Sequence, residues 1–266
     1  MAPTGVIPIQ NVTRDEIASG LAQLGVQLGD SILVHSSLSS FGHVAGGADA
    51  VIDALLRSVG PEGTVLMPSL PANWRRDENC LAYLSRQPIF DVRVTPSKVG
   101  RISDVFWRRA GAKRSLSASH AVTAMGTQRD WFVAEHERSH YLTGPGTPWY
   151  KNCQAGGKIV LLGVTQATNT TLHTVEETAG SIVVSREWFY PLVIDTDGVL
   201  HQLEVCAHLP GYPRNFPRMD EVLLEAGAMR VGTIGQATVR VIEARKLLEL
   251  GVDRLRADPR FLLSGE

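Results

Sequence analysis

The chain has 266 residues, 44% hydrophobic and 20% charged, with a formal net charge of -1. This is ordinary globular composition, enough for one large domain or two small ones. It excludes a basic nucleic-acid binder and a charged tail; the three scattered cysteines (Cys80, Cys153, Cys206) form no CxxC, and no apolar run nears the roughly 20 residues of a membrane span.

The opening "MAPTGVIPIQ" lacks the basic region and long apolar core of a signal peptide, so a reducing, cytoplasmic setting is expected. In "TRDEIASGLAQLG", Thr13 and Glu16 form a capping-box signature for a helix. "SILVH" (31–35) reads as a buried strand, "GGADAVIDALLRSVG" as an amphipathic helix ending at Gly60, and "GTVLMP" (63–68) as a second strand. Strand, helix, strand in that order predicts a parallel crossover unit. Residues 69–97 have no clean period and several prolines, and loops of that length are usually functional or disordered.

"SKVGRISDVFWRRAG" then reads as a helix, "HAVTAMG" as a strand, "TQRDWFVAEHE" as a helix and "YLTGPGTPWYKN" as a loop. "KIVLLG" is a strand and "NTTLHTVEETAG" a helix ended by Gly180. "SIVVSREWFYPLVID", the turn "TDG" and "VLHQLEV" predict an antiparallel hairpin. "RMDEVLLEAG" and "ATVRVIEARKLLELGVDRLRADP" are expected to be helices, with "MRVGTIG" as a strand between them. The expectation is a single α/β domain over 1–266. It has a mixed sheet flanked by helices, an irregular insertion (69–101) and an antiparallel excursion in the second half.

Three segments carry candidate chemistry. In a helix beginning near Thr170, Leu172, Val175 and Ala179 form a buried stripe, and His173, Glu176 and Glu177 a polar face. A glutamate three residues on can accept the ring N–H of His173, set its tautomer and stabilise the imidazolium. The same residues also suit a solvated helix start, which is rich in Thr, Asn and Glu. A metal reading is weaker, because HExxH needs a second histidine that this segment lacks. "LVHSSLSSFGHVAGGADAVIDALL" runs from strand through serines and glycines into a helix. It suits an anion, or is an ordinary polar loop; it is neither a Walker A nor a GxGxxG. "KRSLSASHAVTAMG", with Lys113, Arg114 and His120, leaves the same two readings open.

In order along the chain, "LVHSSLSSFG", "GTVLMPS", "FDVRVTPSKVGRISDVFWR", "RSLSASHAVTAMG", "GPGTPWYKN", "GKIVLLGV", "NTTLHTVEE" and "IGQATVRVIEARKLLEL" together resemble the aminoglycoside 3-N-acetyltransferase family, the antibiotic N-acetyltransferases outside the GNAT fold. The resemblance implies acetyl transfer from acetyl-CoA to a primary amine without a metal. It makes His173 the general base, Glu176 its orienting partner and Thr171 a contact for the thioester or oxyanion. Coenzyme A would lie against His35, Ser36 and Ser37 with Ser115 nearby, and Asp91, Trp74, Glu204 and His208 are the expected substrate contacts. The partner is a small-molecule amine, with no nucleic acid or membrane, and the chain is a monomer or homodimer.

The family's "RSLHPTH" stands here as "RSLSASH", with Ser117 and Ala118 for His-Pro, and its "FDP" as "FDV". "HTVEE" is closer to the branch without proven aminoglycoside substrates. A polycationic acceptor calls for an acidic pocket, yet 69–101 carries Arg75, Arg76, Arg86, Arg93, Lys98 and Arg101 against Asp77, Glu78 and Asp91. A non-aminoglycoside amine is therefore the alternative acceptor. A CoA-binding protein without transferase activity is the alternative of another class. A serine hydrolase lacks the GxSxG elbow it needs.

Overall fold

The computed structural model describes residues 11–265, so the reading of the first ten residues lies outside it. The chain enters through β1 (Asn11–Val12) and α1 (Arg14–Gln23), then β2 (Ser31–Ser36), β3 (His43–Val44), α2 (Gly47–Val59) and β4 (Thr64–Pro68). The predicted capping box holds: Thr13 accepts from the Glu16 N–H and the Glu16 carboxylate accepts from Thr13 N–H. Such a cap contributes about 1 kcal/mol. In α2, Ala48, Val51, Ile52, Leu55 and Val59 recur at helical spacing on the buried face. Each large aliphatic buried there contributes roughly 1.5–3 kcal/mol. β2 pairs parallel with β4 across α2, as the crossover reading requires.

The stretch from 69 is less irregular than its sequence. It holds α3 (Cys80–Ser85) and β5 (Ile89–Asp91), followed by α4 (Arg101–Phe106). The predicted helix over 97–111 is confined to α4, which starts after Gly100 at φ 103°. Next come β6 (Lys113–Arg114), β7 (Val122–Gly126), α5 (Arg129–Val133), α6 (Pro148–Gln154), β8 (Lys158–Leu162) and α7 (Thr171–Ala179). The chain closes with β9 (Leu192–Ile194), β10 (Leu200–Gln202), α8 (Met219–Glu225), β11 (Met229–Ile234), β12 (Ala237–Glu243) and α9 (Ala244–Ala257).

One expectation fails at 237–243, predicted as the start of a long helix and found as β12. Ala237, Val239 and Val241 are buried while Thr238 and Arg240 are not, a period of two. The helical period begins only at Ala244.

The main sheet has the order β11-β12-β8-β2-β4-β7-β6. Its centre, β8-β2-β4, is parallel; the outer pairs are antiparallel. Ile32 and Val34 join the core under α1 and α2, while Leu33 packs on the other face with Phe132 and Trp149. A second sheet has the order β10-β9-β5. The hairpin around "TDG" forms, and the 69–101 insertion adds β5 to it in parallel. Tyr83, Phe90, Val193 and Val205 fill the core beneath this small sheet. Among the described residues no helix is long and apolar enough to cross a membrane.

Because β2, β4 and β8 run parallel, their C-terminal ends open at one edge of the sheet. That edge of an open α/β sheet is where ligands characteristically bind. The serine loop after β2, the insertion after β4 and α7 after β8 all start there. Helix α7 rests on α9, where Gly251 permits a close approach: a Cβ at that position would stand 2.7 Å from Val175 Cγ1. Gly180 ends α7 in the left-handed region, φ 65° and ψ 41°.

Candidate active site

A cavity of about 610 Å³ opens between α7, the 69–101 insertion and the 208–216 segment. Trp74, Cys80, His120, His173, His208 and Arg214 are in its wall. Leu172 and Val175 seat α7 in the core, which turns His173 toward this space. Its Nδ1 stands 2.6 Å from Glu176 Oε2, one helical turn on. Phe216 meets the imidazole edge to face, with centroids 5.0 Å apart.

Glu176 is buried, and its other oxygen accepts from Arg214 Nε at 2.9 Å. Burial works against its charge, but His173 and Arg214 overcome that and hold the carboxyl down to about 2. It is therefore a fixed anion near neutrality. For His173 the balance falls the other way. Burial, assisted by His208, lowers its pKa below the usual histidine value although Glu176 pulls it upward. The imidazole is neutral at pH 7, as a base must be.

The sequence placed Glu177 on a polar face of the helix, with a solvated helix start as the other reading. In the fold it is fully buried and accepts from the N–H groups of Leu142 (3.2 Å) and Thr143 (2.8 Å) and from the Thr143 hydroxyl (2.9 Å). His208 Nε2 stands 3.0 Å from Glu177 Oε1, off the line of a well-formed hydrogen bond. Burial opposes this carboxylate's charge, and His208 and Thr143 outweigh it, so its pKa is lowered. The His208 ring lies on the His173 ring, 4.3 Å between centroids and 22° between planes. His120 meets both edge to face.

Of the expected catalytic residues, His173 and Glu176 come together. Thr171 is fully buried outside the cavity wall, and its hydroxyl has no partner among the described residues. Of the expected substrate contacts, Trp74 and His208 line the cavity. Asp91 does not; Arg93 holds both of its oxygens. Glu204 does not either, and stands beside His140. The expected cofactor residues lie outside the cavity wall. His35 is buried against Trp149, and Ser36 and Ser37 follow at the end of β2. Ser115 is fully buried and spends its hydroxyl on the Val122 N–H and His136.

Arg214, Phe216 and Glu177 were not assigned roles from sequence. Arg214 lies 38 residues from its partner in an irregular segment, and no periodicity marks it. Cys80 faces the cavity, but burial pushes its thiol up to about 12, so it is no nucleophile.

His173, Glu176 and His208 also bring three donor atoms within 4.8 Å of one another. The sequence argument against a metal turned on the missing second histidine, and the fold supplies one. The arrangement is nevertheless poor for a tetrahedral ion. Stacked rings hold their lone pairs in nearly parallel planes, and both Glu176 oxygens are engaged.

Residues 33–256 match a family model described as aminoglycoside 3-N-acetyltransferase. Aminoglycoside N(3)-acetyltransferase III from a Salmonella species is 30% identical over 270 residues, 91% of each chain. A mutant aminoglycoside acetyltransferase AAC(3)-IVa in complex with a gentamicin superposes with a TM-score of 0.79, at 28% identity over 96% of this chain and 93% of that one. AAC-IIIb in a binary complex with CoASH gives a TM-score of 0.79, at 26% identity over 97% of this chain and all of that one.

Proposed function

The chain belongs to the aminoglycoside 3-N-acetyltransferase family, and we propose that it moves the acetyl group of acetyl-CoA to the 3-amino group of an aminoglycoside, with His173 as general base. The observation that carries this is the His173–Glu176 pair at 2.6 Å in the wall of the cavity. Glu176 holds the proton on Nδ1 and leaves Nε2 as the basic nitrogen. As the amine nitrogen bonds to the thioester carbon, it becomes acidic and His173 takes a proton from it. The C–S bond then breaks, and that proton passes to the departing thiolate. General-base help of this kind is worth about 10²–10⁴ in rate.

In this reading coenzyme A lies at the edge where β2 and β8 end, along Ser36 and Ser37, with His35 buried behind them. The relative solved with CoASH supports this cosubstrate. Thr171, which the same motif offers as an oxyanion donor, is fully buried outside the cavity wall and contributes no contact to the thioester in this reading. Ser115 supports this edge from within and does not touch the ligand.

A second acceptor reading is favoured by the cavity wall. No Asp or Glu is in it among the described residues, while His120, His173, His208 and Arg214 are. The Lys98 ammonium lies over the Trp74 ring at 3.9 Å. The nearby acids are taken, Glu78 by Arg86 and Asp91 by Arg93. A polycation finds few counter-charges here, so an amine with fewer positive groups fits the wall better. Thiol release from acetyl-CoA, measured against aminoglycosides, amino sugars, aryl amines and aminophosphonates, tests both readings. Turnover of aminoglycosides confirms the first. Turnover confined to other amines selects the second. No amine-dependent thiol release overturns the transferase assignment.

A further inference from the structure

The transferase reading leaves a proton unassigned. An alkyl amine arrives as an ammonium near neutral pH. In R–NH3⁺ + CH3CO–SCoA → R–NH–COCH3 + CoASH + H⁺, the nitrogen loses two protons. One ends on the thiol; the other must leave before attack, because an ammonium has no lone pair. His173 can carry the proton that reaches sulfur. A different group must take the first.

We propose that His208 and Glu177 form a second histidine–carboxylate pair whose imidazole accepts that first proton from the bound ammonium. The two pairs use the same parts, an imidazole and a buried carboxylate. Consecutive residues of α7, Glu176 and Glu177, each stand within hydrogen-bonding distance of one imidazole, and the two imidazoles stack in one cavity wall. Glu177 is anchored by two backbone N–H groups and a hydroxyl. Its Oε1 stands 3.0 Å from His208 Nε2, close enough to stabilise an imidazolium though off the line of a well-formed hydrogen bond. Nδ1 of His208 has no hydrogen bond among the described residues.

The charged and titratable groups facing His208 are Glu177 and Glu176 from α7, His173, His120 from the 115–120 loop, Cys80 from α3, and Arg214. Two stacked rings 4.3 Å apart do not both hold a charge. The two protonations are therefore sequential. His208 takes the first proton and releases it through the open cavity. The neutral amine attacks, and His173 takes the second proton and delivers it to sulfur.

This rests on the transferase reading, and one pH series separates the two. With gentamicin as acceptor, or whichever amine of the panel turns over, kcat/KM is measured for wild type and His208→Gln. The variant can use only acceptor that is already deprotonated in solution. Its rate is expected to be about 10²-fold lower near pH 7. It should then rise about tenfold per pH unit and come within a few-fold of wild type above the acceptor's own pKa. His208→Phe keeps a stacked ring and the fold but no proton site, and should show the same pH-dependent loss. A constant factor at every pH, or full activity in His208→Phe, overturns the proposal in favour of a packing role. Wild-type protein that releases no thiol with any amine ends the transferase reading itself, and this inference with it.

Discussion

His173 and His208 lie face to face with 4.3 Å between ring centroids, although they stand 35 positions apart in the chain. Each is backed by a different glutamate of one helix. The pairing concentrates the chemistry of the cavity in α7 and the 206–208 segment.

His173→Ala should lower kcat by about 10²–10⁴ while CoA binding survives. Coenzyme A affinity by calorimetry and turnover by thiol release check the two halves separately. Near-wild-type turnover would remove His173 from the mechanism. In wild type the acidic limb of the rate profile should fall below the ordinary histidine value, because burial keeps the imidazole neutral.

Arg214→Gln should move that acidic limb to higher pH. Arg214 is one of the groups lowering the His173 pKa, and it also clamps Glu176 at 2.9 Å. Without it the imidazole protonates more easily, and a larger share of the enzyme holds a charged, inactive base at pH 6. An unchanged profile would mean that the guanidinium only braces the 209–214 loop.

Acid should weaken the fold from about pH 6.5 downward. Burial pushes His136 down to about 4 and His35 down to about 3, and places His120 well below its usual value. The unfolded chain takes up these protons near 6.5, before the folded one does, so falling pH favours unfolding. Each group removes about 1.4 kcal/mol per pH unit across its own window, ending near 4 for His136 and near 3 for His35. Melting temperature measured from pH 7 to pH 4 should decline accordingly, and less steeply in His136→Gln. A flat profile would contradict the burial assigned to these rings.

A strong chelator should leave turnover unchanged, because the stacked rings and doubly engaged Glu176 suit hydrogen bonding better than metal binding. Loss of activity that zinc restores would overturn this.

Gly251→Ala should destabilise the protein by about 1–3 kcal/mol through overpacking, despite alanine's higher helix propensity. The added methyl meets Val175 and pushes α7 away from α9. Because α7 carries His173, kcat should fall with the melting temperature. A stabilised, fully active variant would show that the interface relaxes freely.

What the sequence disclosed follows the range of its periodicities. His173 and Glu176 are three residues apart on one helix, so local spacing sufficed. Glu177 was misplaced because its partners, Leu142 and Thr143, lie over thirty residues away and nothing local marks the face as buried. His208 and Arg214 sit in irregular chain, where no pattern aims a side chain. Strand β12 was missed because "ATVRVIE" runs into α9 with no glycine or proline to mark the change of period.

The insertion and the hairpin meet as neighbouring strands, β5 on β9. The insertion that brings Trp74 and Cys80 into the cavity wall is thus tied by backbone hydrogen bonds to a distant stretch of chain, while His173 rides on α7. Exchanging acceptor preference between relatives would therefore succeed only when both stretches are transplanted together. Moving either alone would strand half a sheet.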